Sequence, residues 1–324
     1  LLKLLILGLL IGGGLYLYEQ VDPAALTRLK QRLTTSVPGL PRGTDVLPIT
    51  RQTDTIRIAS FNIQVFGEHK LAKPQVMNVL ARVIRNFDVV AIQEIRSRAQ
   101  DILPHFIRQI NAEGATYDYV IGPRLGRTDS KEQYAFIYNA ASVELDRESI
   151  YTVNDPQDLL HREPLVAGFR VRGPPEAEAF TFTLIDIHTD PDETARELDA
   201  LASVFRAVRN DGRNEDDIIL LGDLNADDHH FGLLGQIPYI TWALSGVPSN
   251  THGTHLYDNI LFDQRATTEF DGHAGVLDLM REYNLTMHEA LEVSDHMPIW
   301  GEFSIYEGGT HGRSLAERPA ATRR

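Results

Sequence analysis

The chain is predicted to fold as an α+β (α/β) protein in which two β-sheets pack together and helices flank them. Three observations support this. Short apolar and β-branched bursts recur between about Thr55 and Tyr306, each short enough for a strand. Apolar residues at helical spacing fall between some of them. Hydrophobic residues make up 43% of 324 residues, enough for a sizeable core. Periodicity alone leaves the strand order and the number of layers open.

Taken in chain order, Leu4 to Tyr18 is almost wholly apolar, with Lys3 in front. As a helix it would span roughly 22 Å, against a bilayer core of about 30 Å. No Ala-x-Ala cleavage pattern follows it, so residues 1–20 read as an uncleaved signal anchor, with a cleaved signal peptide as the alternative. Asp22-Pro23 resembles a helix cap followed by proline at the first helical position, and Leu26, Leu29 and Leu33 continue at helical spacing. Pro38, Gly39, Pro41, Gly43 and Pro48 mark a linker, so 21–54 reads as a juxtamembrane helix and linker. Strands are expected at Ile56–Phe61, Val89–Ile92, Tyr134–Tyr138, Phe180–Ile187, Ile218–Leu221, Tyr257–Phe262 and Ile299–Ile305. Helices are expected around Val76–Ile84, Ile102–Ile110 and Leu198–Phe205. The domain is bounded at 55–306, and the Gly-, Arg- and Ala-rich stretch 307–324 reads as a disordered tail.

The formal net charge is −14, from 31 basic and 45 acidic residues, which argues against a broad basic nucleic-acid-binding surface. Acidic residues gathered in a cleft are what a hard cation needs. The chain has no cysteine, which excludes disulfides, thiolate zinc sites and cysteine nucleophiles.

Polar residues with chemical potential cluster at the ends of the apolar bursts. Phe61 leads to Asn62, Ile92 to Gln93-Glu94, Ile187 to His188, and Leu221 to Gly222-Asp223-Leu224-Asn225. Tyr257-Asp258 and Ser294-Asp295-His296 follow. Strand ends are where a rigid sheet can hold side chains in a cleft. Singly, each residue also fits an ordinary turn or a surface pair; the set as a whole fits phosphodiester hydrolysis. Glu94, Asp223 and Asp295 could hold Mg²⁺, with Mn²⁺ or Ca²⁺ as substitutes, to polarise the phosphate. Two histidines can divide general base and general acid work near neutral pH. Amides and a guanidinium would bind the charge that develops on the phosphoryl oxygens.

Ile58-Ala59-Ser60-Phe61-Asn62-Ile63, Phe66-Gly67 and Gln93-Glu94-Ile95-Arg96 resemble the opening motifs of the deoxyribonuclease I branch of the endonuclease/exonuclease/phosphatase superfamily. Pro123-Arg124-Leu125-Gly126-Arg127, Lys131-Glu132, Arg162-Glu163-Pro164, Gly222 to Asp227, Tyr257-Asp258 and Ser294 to Pro298 continue the series in order. The resemblance implies a four-layer αββα sandwich and an endonuclease that hydrolyses DNA with low sequence specificity. It implies catalytic roles for His188 paired with Glu132, for His296 oriented by Asp258, and for Asp223. Glu94 would be the principal metal ligand, with Asp295 and Asp223 near the metal or phosphate. Asn62, Asn225 and Arg162 would contact phosphate, and Arg96 would enter the minor groove. DNA is the implied substrate; no protein partner and a monomeric state are expected.

Gln64 stands where the branch commonly has arginine, and Ser130 where it has tyrosine; both positions contact DNA in the family. The positions resembling a disulfide in secreted animal members are Asp228 and His255, which would leave the 228–254 loop less constrained. Asp227 to His230 reads as a solvated turn, and Asp186 shares a strand face with His188 and could perturb it. The alternative function is a phosphodiesterase of the same fold acting on a phospholipid headgroup or another small phosphodiester, which an anchored domain would suit. A non-catalytic interaction module would have eroded the set, which is intact. Arg28, Lys30 and Arg32 after the apolar segment favour a cytoplasmic domain, whereas the hazard of a nuclease to its own genome favours export. The expected location is membrane-anchored or exported.

Overall fold

The computed structural model describes residues 54–128 and 131–309. The expected anchor, juxtamembrane helix and linker, together with Ser130 and the tail from 310, lie outside the described residues. Along the chain run β1 (Thr55–Phe66), α1 (Glu68–Leu71), α2 (Pro74–Ile84), β2 (Val89–Ile95), α3 (Ile102–Asn111), β3 (Tyr117–Ile121), β4 (Gln133–Asn139), β5 (Val143–Thr152), β6 (Leu165–Val171), β7 (Thr181–His188), α4 (Thr194–Arg209), β8 (Ile218–Asp223), β9 (Ile240–Trp242), β10 (Asp258–Asp263), β11 (Phe270–Val276), α5 (Leu279–Tyr283), α6 (Met287–Val293) and β12 (Ile299–Ser304). Among the described residues no helix is long and apolar enough to cross a membrane.

The strands form two six-stranded sheets, ordered β11-β12-β1-β2-β4-β3 and β5-β6-β7-β8-β10-β9. Alternation within each strand assigns its two faces to different cores. Ile56 and Ile58 of β1 join Val89, Tyr134 and Phe136 on the inner face, against Phe169, Phe182, Leu184, Leu221 and Phe262 of the second sheet. Phe61 and Ile63 of β1 point outward with Val90 and Ile92 and meet Val76, Leu80 and Ile84 of α2 and Phe106 and Ile110 of α3. On the far side, Ile185, Ile187 and Leu220 pack against Leu198, Leu201 and Phe205 of α4. The result is helices, sheet, sheet, helix: the four-layer αββα sandwich.

Local chemistry supports these elements. Pro74 opens α2, where its missing N–H has no helical partner to lose. Thr286 and Glu289 cap α6 reciprocally. The central strands β1 and β2 pair in parallel, as do β7 and β8, so both faces are covered and the strands read as near-continuous apolar runs. Strands β3, β5, β6, β9 and β11 were not anticipated. β5 alternates Val143 and Leu145 with Glu144 and Asp146, and β11 is largely exposed and carries two glycines; both lie at sheet edges, where apolar content is low. Residues 307–309, placed in the expected tail, are tied to the domain: Glu307 N–H donates to the Glu178 carbonyl at 2.9 Å and Gly309 N–H to the Tyr306 carbonyl at 3.1 Å.

Gly222 sets how closely β7 and β8 can approach. Its φ is +148°, and a Cβ there would lie 1.9 Å from the Ile187 carbonyl oxygen. The same register places His188 opposite Asp223. Gly222→Ala is therefore expected to cost roughly 2–3 kcal/mol in urea unfolding and to lower catalytic turnover, because the pair beside it must separate.

Candidate active site

The inner face of each central strand changes character along its length. On β1 it runs Ile56, Ile58, Ser60, Asn62; on β7, Phe182, Leu184, Asp186, His188; on β8, Ile219, Leu221, Asp223. Apolar residues fill the middle of the sandwich, and polar residues meet across the sheets at one end. The parallel pairings bring the C-terminal ends of β1, β2, β7 and β8 to that end, and antiparallel β10 contributes its first residue, Asp258, opposite Asp223.

Two histidines are each backed by a carboxylate. His188 Nδ1 donates to Glu132 Oε1 at 2.7 Å, and His296 Nδ1 donates to Asp258 Oδ2 at 2.8 Å. Both rings then present Nε2 to the same atom: Asp223 Oδ2 lies 3.6 Å from His188 Nε2 and 3.5 Å from His296 Nε2. Burial pulls the His296 pKa down, but the Asp258 and Asp223 charges and the Asp258 hydrogen bond outweigh it and raise the pKa to about 10. Burial likewise lowers His188, and Glu132 and Asp223 more than reverse it. Burial raises the Glu132 carboxyl, while His188, Arg162 and Arg96 bring it below its ordinary value. Ser249 Oγ donates to Asp258 Oδ2 at 2.7 Å, and Tyr134 Oη accepts from His188 N–H at 2.9 Å, which fixes both pairs from behind.

Amides connect the remaining acids. Asn62 Nδ2 donates to Asp223 Oδ2 at 3.0 Å and to Glu94 Oε1 at 3.2 Å. Glu94 Oε2 accepts from Val65 N–H at 2.8 Å and pairs with Arg96 at 2.9 Å. Gln64 Nε2 donates to Asp295 Oδ2 at 2.8 Å. Glu94 and Asn225 have φ values of +61° and +47°, strained conformations for residues with a Cβ and a feature that clusters at functional sites. Glu94, Asp223 and Asp295 offer only oxygen, the donor type a hard divalent cation takes, and Asp295 Oδ1 is buried without a hydrogen-bond partner. The acid and imidazole groups of the site that lie within 4.8 Å of one another are Asp223, Asp258 and His296; Glu94, Asp223 and Asp295 do not form such a group. His296 Nδ1 is already taken by Asp258, which leaves Nε2 as the ring nitrogen facing Asp223.

The candidate catalytic, phosphate-contacting and metal-ligating residues named from the sequence lie together here. Arg162 is buried behind the His188 pair, 3.2 Å from Glu132 Oε1, and donates to the His188 carbonyl, so it positions that pair. Arg96 stands between Glu94 and Glu132 with about a third of its side chain exposed. Asn225 N–H donates to Asp223 Oδ1 at 3.0 Å, and its amide to Thr189 O at 2.9 Å. Gln64, read from sequence as a weakened DNA contact, reaches Asp295 within the site. Its two-residue step from Asn62 along β1 was the available signal. Lys70, Ser249 and Tyr134 were missed. Lys70 is buried, donates to the Ile63 and Val293 carbonyls, and is lowered by burial to about 8 despite the opposing pull of Asp295 and Glu94.

The 228–254 segment is more constrained than the missing disulfide implied. Ser245 Oγ donates to Asp228, Asn250 Oδ1 accepts from Thr254 and His255 N–H groups, and Phe231, Leu234 and Ile237 are buried. Asp227 and His230 pair at 2.6 Å on an exposed turn, as expected. That turn borders a cleft of about 570 Å³ lined by Asn225, His255 and Tyr257, and the Tyr257 ring lies 5.9 Å from that of His296.

Residues 59–296 match the Endonuclease/Exonuclease/phosphatase family. Deoxyribonuclease gamma of Rattus norvegicus is 31% identical over 270 residues, covering 78% of this chain and 84% of that protein. Deoxyribonuclease gamma of Homo sapiens is 32% identical over 269 residues, covering 77% of this chain and 86% of that protein. The human Nocturnin catalytic domain with bound sulfate has a TM-score of 0.54 at 13% identity, covering 78% of this chain and 94% of that one, a likeness of fold.

Asp186 lies just beneath the site. It is fully buried, Oδ1 accepts from Gln93 Nε2 at 2.6 Å, and Oδ2 has no partner. Burial holds its pKa well above the ordinary value. A carboxyl raised in the folded state destabilises the fold increasingly as pH rises above its unfolded pKa of about 3.9. Asp186→Asn is thus expected to raise stability near neutral pH, with the gain vanishing toward pH ~4 in denaturant titrations.

Proposed function

This chain belongs to the endonuclease/exonuclease/phosphatase family, as a deoxyribonuclease I-like member and a hydrolase of phosphodiester bonds, and from that premise we propose that it is a metal-dependent endonuclease cutting DNA with low sequence specificity. The observation that carries this reading is the convergence of two carboxylate-backed imidazoles on one oxygen, Asp223 Oδ2, at 3.6 and 3.5 Å. A phosphodiester seated there has one Nε2 on the side of an attacking water and the other on the side of the leaving oxygen. One histidine takes the proton from water as the oxygen–phosphorus bond forms. The other gives its proton to the departing oxygen as that bond breaks. Glu132 and Asp258 hold each ring in the tautomer that leaves Nε2 facing the phosphate and stabilise each imidazolium. Arg96 would offer N–H groups to the phosphoryl oxygens, while Asn62, whose amide donates to Asp223 and Glu94, holds those two carboxylates in place. Glu94, Asp223 and Asp295 would hold Mg²⁺ (Mn²⁺ or Ca²⁺ could substitute), whose charge would polarise the phosphate and favour attack.

The relatives' names favour DNA over a lipid headgroup, and Arg96 reaching into the minor groove, whose base patterns are degenerate, favours low specificity. A membrane-anchored or exported location remains part of the proposal, carried by the apolar Leu4–Tyr18 segment; fractionation of cells that express the full chain tests it.

His188→Ala and His296→Ala are each expected to lower cleavage of supercoiled plasmid by about 10²–10⁴-fold with thermal unfolding little changed. On a diester with an acidic phenolic leaving group, the variant lacking the general acid should regain activity and the one lacking the base should not. Near-normal plasmid nicking by either variant would remove the acid–base assignment. Chelation is expected to stop nicking and Mg²⁺ to restore it; nicking that survives chelation would refute the metal's role.

A further inference from the structure

At the end of the sandwich away from the catalytic seam, three carboxylates meet. Asp217 immediately precedes β8, whose other end carries Asp223, so a strand of roughly 20 Å separates the two places. Glu269 immediately precedes β11, and Glu307 follows β12. One carboxylate oxygen from each lies within 4.8 Å of the other two. Asp217 and Glu269 are each 1% exposed. Proximity of acids alone would not indicate a ligand, but their unsatisfied valences do. Asp217 Oδ1 and Glu269 Oε2 are buried, and beyond contacts within the cluster itself, where the Thr267 hydroxyl lies against Asp217 and Asp217 against Glu269, neither has a hydrogen-bond partner. Buried polar atoms are nearly always paired, so two carboxylate oxygens that face each other in one place require a counterpart.

The counterpart's chemistry follows from the donors. All are oxygen, which excludes a soft metal and favours a hard cation. Two oxygens bound to one calcium ion at about 2.3–2.6 Å cannot be much more than ~5 Å apart, and this cluster meets that limit. The cluster is irregular and partly buried, which suits the flexible coordination of calcium better than the octahedron that magnesium demands. Burial, followed by the charges of Glu269, Glu307 and Glu215, raises Asp217 to about 10, so the charged form needs a partner here.

We propose that Asp217, Glu269 and Glu307, with the Thr267 hydroxyl, form a calcium site that fastens the two sheets together at the end opposite the catalytic seam. Asp217 belongs to the second sheet, and Glu269 and Glu307 flank edge and neighbouring strands of the first. The ion would thus add a tie between the sheets beside the backbone hydrogen bonds that Phe180 and Glu307 make there, from Phe180 N–H to the Ile305 carbonyl and from Glu307 N–H to the Glu178 carbonyl. The site is separate from the catalytic acids and does not depend on the reading of the reaction.

The test uses the full chain, near neutral pH, in chelator and in calcium chloride. Thermal unfolding is followed for the wild type, for Asp217→Asn/Glu269→Gln and for Glu307→Gln. Calcium should raise the wild-type Tm by about 5–10 °C at saturation. Most of that shift should be lost in the double variant and part of it in Glu307→Gln, which covers the case in which the double variant folds poorly. Equilibrium dialysis with radioactive calcium should show one ion fewer in the double variant, while plasmid nicking in Mg²⁺ persists. An equal calcium shift in all three proteins would place the ion elsewhere and overturn the proposal. So would a wild type that calcium does not move but that mild acid stabilises in chelator, since shared protons alone would then satisfy the carboxyls.

Discussion

The face-to-face packing of the two sheets is the constraint on which the site depends. Each essential contact crosses that interface: Glu132 of the first sheet reaches His188 of the second, Asn62 of the first reaches Asp223 of the second, and Asp258 of the second reaches His296, which leads into β12 of the first. Face-to-face sheets lie about 10 Å apart, a distance that two short polar side chains can bridge. The spacing is set in the middle of the sandwich by rings that meet across it, such as Phe136 of the first sheet and Phe169 of the second, edge to face with centroids 5.7 Å apart. Packing there therefore fixes the geometry of chemistry at the rim, and a lost methylene in the core would be felt as a misplaced imidazole.

Much of this was legible in the residues themselves. The steps Ile56, Ile58, Ser60, Asn62 and Leu184, Asp186, His188 show by their period of two that an apolar face turns polar at its end. The family motifs supplied what periodicity could not: that these ends face one another. Strands such as β11, with Gly272, His273 and Gly275, carry no pattern because an edge strand need bury little. Ser249 and Tyr134 act through single hydrogen bonds, and no regular spacing announces such a contact. Gln64 could be placed on the right face, but its partner, Asp295, lies 231 positions away in the chain.

The site is also a stability liability. Acids gather around Asp223, left-handed backbone is held at Glu94 and Asn225, and Asp186 is buried with a free oxygen. None of these would be chosen to stabilise a fold. They persist because three apolar cores surround them, and because the arginines and histidines nearby are positioned to offset the negative charge.

The order of strands carries a consequence for biosynthesis. The last strand, β12, lies next to the first, β1, in the middle of its sheet, and His296 arrives only just before it. A nascent chain that has left the ribosome as far as β11 has neither a closed first sheet nor its second imidazole. Such a chain holds most of the acids but lacks one of the two imidazoles on which the proposed reaction depends, so on that reading cleavage waits for β12 to be translated and docked.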